Sequence, residues 1–260
     1  MTDHEILALV CAAEREAATL MLEARQVLAE TKSGRRDVVT AYDRQVQELL
    51  IARLSEKLPE ARFYCEENDR HDDLHADCVF IIDPIDGTMN FVHGLHHSCI
   101  SVACLRGGVL RVAAVCNPYS DELFTAVRGE GAFLNSRPIR ASSDSLADSL
   151  VACGTAPYDT EATDRTFALI RLAYRSSLDI RREGAAALDL CAVAAGRYGL
   201  FFELGLSLWD YAAGMLLVEE AGGVCCTVEG GELPLDGSKP TVLAGGKGAA
   251  AEFLALSKGL

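Results

Sequence analysis

The sequence predicts an α/β protein made of an α+β N-terminal half, residues 1–140, and an α/β C-terminal half, residues 141–260. Apolar patterns of helical period open the chain. A series of apolar, β-branched runs separated by short turn signals follows, the texture of an antiparallel meander. Farther on, short strands alternate with helical segments, as in an α/β layer.

Apolar side chains at Ile6, Leu9, Val10, Ala13, Ala17, Leu20, Ala24 and Val27 predict one long amphipathic helix over residues 4–31, broken by Lys32 to Arg36 with Gly34. A second helix is predicted from Thr40 through Val46, Leu49, Leu50 and Leu54 to Pro59. Residues 61–65 read as a short strand ending in Glu66 and Glu67, and the polar residues 68–77 as an exposed loop. Residues 78–82 form a continuous apolar run, the mark of a strand buried on both faces. Runs at 98–105, 109–118 and 123–127 complete the meander, with Gly107-Gly108 and Asn117-Pro118 as turns. Pro138 and a Ser/Asp-rich stretch put the boundary at 138–148. Strands are predicted at 151–153, 178–180, 200–203 and 242–243, and helices at 161–175, 185–196, 207–221 and 247–258.

A net charge of -14 argues against a nucleic-acid partner, though bound cations would invert the local field for a phosphate. No apolar run reaches the roughly 20 residues of a membrane span, and the N-terminus lacks a signal-peptide pattern. The expectation is a cytoplasmic protein without membrane contact. The ten cysteines are scattered apart from Cys225-Cys226, with no CxxC pair, and read as small buried thiols in a reducing compartment.

The chemistry centres on Asp83-Pro84-Ile85-Asp86-Gly87-Thr88, at the end of the buried strand. Two carboxylates leave one strand end, Pro84 stiffens the turn, and Gly87 lets the backbone approach a ligand. A helical turn starting at Thr88 would aim free N–H groups at an anion. Carboxylates for a hard cation beside a backbone cradle for phosphate make a metal-assisted phosphoryl site. Glu66, Glu67, Asp210, Asp37 and Asp43 add candidate oxygen ligands, although Asp37 and Asp43 taken singly fit helix caps equally well.

The run from Asp83 to His93 resembles the first signature of the inositol monophosphatases, and Trp209-Asp210-Tyr211-Ala212-Ala213-Gly214 the second. Gly184 to Cys191 is similar to the family's substrate-side helix start, and Lys32-Ser33 with Asp37 to Asp43 to its mobile loop and first acidic position. The resemblance implies a layered αβαβα sandwich and two or three Mg²⁺ ions, with Mn²⁺ as a substitute. It implies one ion on Glu66, Asp83 and the Ile85 carbonyl, a second on Asp83, Asp86 and Asp210, and a weaker third near Glu66. Catalytic roles fall on Thr88, Asp43 and Glu66, with the substrate on Asp86, Gly87, Thr88, Ala186, Glu203 and Asp210. Lithium sensitivity and a homodimer are further implications.

The activity so implied is hydrolysis of a small phosphomonoester, inositol monophosphate first. Histidinol phosphate, fructose 1,6-bisphosphate and nucleotide bisphosphates are the alternatives on the same fold, and a regulatory protein-binding relative is the alternative from another class. Ser207 and Ala185 stand where relatives carry larger polar side chains, which loosens the tie to inositol. His93, His96 and His97 suggest a zinc cluster only weakly, Trp209 reads as core behind Asp210, and Asp189 as structural.

Overall fold

Thr2 starts the first helix, α1 (Asp3–Glu23), with a capping box: its hydroxyl accepts from the Glu5 N–H and its own N–H donates to the Glu5 carboxylate. The structure, a computed structural model, describes the whole chain but residues 26, 35, 36, 68–70 and 158, and leaves the side chains of residues 33–37 undescribed.

The first helix is shorter than the sequence predicts. At Ala24 the backbone turns extended, and a hairpin of β1 (Ala29–Gly34) and β2 (Asp37–Thr40) replaces the last predicted turns. The helical period runs on past Glu23 through Ala24 and Val27, which pack against the core from non-helical backbone, while Leu28 beside them is 81% exposed. The helix α2 (Ala41–Lys57) begins where expected, with Thr40 as its cap. In the predicted loop, residues 71 and 72 are tied down, since His71 bridges to Tyr64 and Asp72 exchanges hydrogen bonds with Phe63.

A seven-stranded sheet follows. β3 (Arg62–Cys65) lies parallel to β4 (Cys78–Asp86). After the short helix α3 (Thr88–Val92), an antiparallel series continues through β5 (Cys99–Arg106), β6 (Val109–Asn117), β7 (Glu122–Val127), β8 (Ala132–Leu134) and β9 (Arg137–Ile139). The last two are too short to be visible as apolar runs. Along β4, Val79 and Ile81 face one core while Phe80 and Ile82 face another, so both faces are buried and no polar alternation survives.

The second sheet has the order β11-β10-β12-β14-β13, built from β10 (Leu150–Cys153), β11 (Asp179–Arg181), β12 (Leu200–Glu203), β13 (Val224–Cys226) and β14 (Val242–Gly245). Its helices are α4 (Thr163–Ser176), α5 (Ala186–Ala194), α6 (Leu208–Glu220) and α7 (Lys247–Leu256). Three cores fix the layer order. α1 and α2 cover one face of the large sheet, α5 and α6 fill the space between the sheets, and α4 and α7 cover the outer face of the second. The architecture is the layered αβαβα sandwich expected.

Glu14 is the anomaly in this packing. It is buried in α1, and neither carboxylate oxygen has a partner among the described residues. Burial pushes its carboxyl well above the usual range of 4.5, with only Arg15 pulling the other way. The folded state then keeps this proton to a higher pH than the unfolded chain. Its contribution is therefore intact below about pH 4.5 and declines above it, by up to about 1.4 kcal/mol per pH unit. Glu14→Gln is expected to gain on the wild type in melting temperature between about pH 5 and about pH 8. A gap that does not change with pH would show that Glu14 is ionised throughout.

Candidate metal and phosphate site

β4 delivers two acids to one place by a backbone irregularity. In a regular strand, residues three apart point to opposite faces. Here Asp83 pairs with Ser101 and Asp86 with Cys99, so the ladder slips at Pro84-Ile85. The extra residue returns Asp86 to the side of Asp83, and proline's missing N–H costs nothing where pairing is interrupted. The chain then turns at Gly87, whose φ of 82° favours glycine. A Cβ there would also sit 3.1 Å from both the Ala185 Cβ and the His97 carbonyl. Asn90 locks the turn by donating to the carbonyls of His97 and Glu183, at 2.7 and 2.9 Å.

Helix starts supply the remaining groups. Asp210 caps α6, with Oδ2 accepting from the Ser207 N–H at 2.7 Å. Asp43 caps α2 in the same way: Oδ2 accepts from the Thr40 N–H at 2.8 Å and hydroxyl at 2.5 Å, leaving Oδ1 to accept from the Thr88 hydroxyl at 3.2 Å. The cap and catalyst readings of Asp43 are thus compatible, one oxygen each. Asp86 Oδ2 accepts from the Ala187 N–H at 2.8 Å, in the first turn of α5. The Thr88 hydroxyl also lies 3.1 Å from the Ile85 carbonyl.

Asp83, Asp86 and Asp210 come together, with a carboxylate oxygen of each within 4.8 Å of the others. Glu66 reaches Asp83 at hydrogen-bonding distance, and on its other side accepts from Lys32 Nζ at 2.9 Å. Glu67 turns away to Lys32, its backbone clamped by the Gln47 amide. Burial, then repulsion by neighbouring acids, pushes Asp83 and Asp210 well above the usual range, and burial lifts Asp86 to about 7. Burial raises Glu66 and Asp43 as well.

These groups line a cavity of about 320 Å³ that also holds Gly87, Thr88, Ala186 and Glu203. Of the sequence-predicted site residues with described side chains, Asp43 and Glu67 are not among those lining it; Asp43 reaches it through Thr88, and Glu67 faces Lys32. The side chain of Asp37 lies outside the described residues. Glu203 accepts from the Ala156 N–H at 3.1 Å, and a Cβ on Gly154 would fall 1.8 Å from its carboxyl carbon. Gly154 and Arg182 line the cavity unanticipated. Asp189, expected to be structural, walls both this cavity and a smaller one of about 90 Å³ shared with His97. Its Oδ1 and His97 Nε2 lack partners among the described residues. His96 stacks on Tyr119, and Trp209, partly buried, packs against the core as expected while stacking on His71 and meeting Tyr64 at a tilt.

Comparison with known proteins agrees with this geometry. The sequence pattern described as the inositol monophosphatase family matches residues 2–258. The putative Nus factor SuhB of Neisseria meningitidis serogroup B is 40% identical over 222 residues, 84% of this chain and 85% of that protein. The inositol-1-monophosphatase of Rhizobium meliloti is 40% identical over 212 residues, 81% of this chain and 80% of that protein. The crystal structure of the extragenic suppressor protein SuhB from Bartonella henselae superposes with a TM-score of 0.91 at 33% identity, covering 98% of this chain and 99% of that one. An IMPase/NADP phosphatase complexed with Mg²⁺ and phosphate gives 0.87 at 25% identity, covering 100% and 97%. This chain belongs to the inositol monophosphatase family.

The residues present fit a hard divalent cation. All side-chain donors are carboxylate oxygens, which suit Mg²⁺ or Mn²⁺ over zinc, and Asp83 Oδ1 is buried without a partner among the described residues. Buried acids without a countercharge repel, and an ion removes that repulsion. Mg²⁺ at a hundred times its Kd is therefore expected to add about 2.7 kcal/mol, read as a rise in melting temperature. Protons compete for the same oxygens, and Asp86 gives up its proton only near pH 7. The rise should be larger at about pH 8 than at about pH 6. Equal shifts at both would mean that these carboxylates do not hold the ion.

Proposed function

We propose that this chain hydrolyses a small phosphomonoester in a Mg²⁺-dependent reaction, with inositol monophosphate as first candidate. The observation that carries the reading is the convergence of Asp83, Asp86 and Asp210 within 4.8 Å beside the first turns of α3 and α5. Glu66, Asp83 and the Ile85 carbonyl would hold one ion, Asp83, Asp86 and Asp210 a second, and Glu66 with solvent a weaker third. Bound there, the ions would neutralise phosphoryl charge and acidify a coordinated water.

The protein's own groups do the positioning. The N–H groups of Gly87 and Thr88 open a helix and favour the phosphate oxygens, as helix N-termini favour anions. The Thr88 hydroxyl donates to Asp43 or the Ile85 carbonyl, so its lone pairs accept from the attacking water and aim it. Glu66 is the second acid placed to receive that water's proton. Glu203 and Ala186 face the leaving alcohol, with Glu203 accepting its hydroxyls. The family resemblance adds a homodimer and inhibition by Li⁺ to this reading.

A Nus-factor role is the second reading, favoured by the relatives that bear the SuhB name. One variant separates the two. Asp86→Asn removes a charge from the second ion site while its fold is expected to survive, and should lower phosphate release from inositol 1-phosphate by about a hundredfold or more. Near wild-type turnover in a well-folded Asp86→Asn protein, or undiminished turnover in EDTA, would overturn the proposed chemistry. Asp86→Asn protein that still replaces SuhB in a cell lacking it would assign that role to a surface outside the cavity.

A further inference from the structure

Cys78 and Cys104 lie 26 positions apart in sequence, yet their sulfurs are 3.7 Å apart. The ladder explains the meeting. Cys78 faces Arg106 and Phe80 faces Cys104 across β4 and β5, so the two cysteines are diagonal neighbours on one face of the sheet. Cys104 is buried in the core under α1 and α2, whereas Cys78 is half-buried and opens onto a cleft of about 480 Å³ between the end of α2 and the start of β4. One sulfur thus meets solvent and the other waits behind it.

We propose that Cys78 and Cys104 form an oxidant-reactive pair, in which Cys78 is oxidised first by a hydroperoxide and Cys104 resolves it to a disulfide. The hydrogen-bonded contact with Cys104, with Arg106 nearby against the pull of burial, brings the thiol of the more exposed Cys78 down to about 7, while Cys104 is raised. Cys78 is therefore the thiolate of the two.

The chemistry balances. The Cys78 thiolate attacks one peroxide oxygen, the O–O bond breaks, and the departing hydroxide takes up a proton, leaving a sulfenic acid. Cys104 sulfur then attacks Cys78 sulfur, the S–O bond breaks, and hydroxide leaves with the Cys104 proton as water. Two thiols lose two electrons and one hydrogen peroxide becomes two waters. Closing the 3.7 Å contact to a bond of about 2 Å also draws the two strands together, because Cα atoms of a diagonal pair stand about 7–8 Å apart. The pair sits at the far end of β4 from Asp83, about 16 Å along the strand, so the cross-link should alter turnover less than twofold.

The test is hydrogen peroxide treatment of the whole protein followed by non-reducing peptide mapping. The expected product is one peptide pair, joined through Cys78 and Cys104 and lighter by two hydrogens. In Cys104→Ser, Cys78 should instead accumulate as a sulfenic acid trapped by dimedone. Cys11 is the control, since it is comparably exposed but burial pushes its thiol up to about 12. With iodoacetamide near neutral pH, Cys78 should react at least about tenfold faster than Cys11. Labelling of Cys78 no faster than Cys11, or oxidation that never joins the two peptides in the wild type, would overturn the proposal. Neither readout depends on phosphatase activity, so it stands or falls apart from that assignment.

Discussion

Like charge held out of water is the constraint on which the rest of this structure depends. Glu66, Asp83, Asp86, Asp210 and Asp43 are gathered in one small region, and burial alone would drive them to take up protons. A fold that only needed stability would not put them there. The protein offsets the cost with helix ends. Asp43 and Asp210 accept the free N–H groups of α2 and α6, and Asp86 those of α5. Each contact satisfies a donor that the helix leaves open and sets a carboxylate against the positive end of a helix.

The layer order follows from this need. The helix N-termini that meet at the site come from two layers. Here α2 belongs to the outer layer, while α5 and α6 belong to the central one. Between them runs β4, buried on both faces and slipped at Pro84-Ile85, which puts Asp83 and Asp86 on the same side. Without the slip one acid would enter the wrong core. Lys32, carried over by the β1-β2 hairpin, adds a cation against Glu66 and Glu67.

Local pattern made part of this legible in the sequence. The apolar run of β4, the acids that end it, the Thr40 cap and the α6 start with Asp210 are each encoded within a few neighbouring residues. The β1-β2 hairpin was hidden because helical spacing continues through Ala24 and Val27, which reach the same core from non-helical backbone. The strands β8, β9 and β13 are three residues each and get their pairing from partners, not from their own composition. Asp189, Arg182 and Gly154 were missed as cavity walls for a related reason: what a side chain faces depends on how α5 lies against the second sheet. The Cys78–Cys104 contact depends on register, which no single strand records.

The cavity is also asymmetric, and that asymmetry bears on what enters it. Its floor is acidic and answers to cations, whereas Arg182, reaching the Thr155 hydroxyl at 3.1 Å, brings a positive group to the wall near Glu203. Glu203 keeps its place only because Gly154 has no side chain, so the depth of this wall is set by one missing methyl group. Gly184 and Ala186 also line the cavity, and neither adds a side-chain donor. On the proposed function, a phosphate ester would be held at its charged end by electrostatics and at its alcohol end by few, directional hydrogen bonds. Affinity and alcohol selectivity would then rest on separate residues, and the second could change while the acidic floor stays the same.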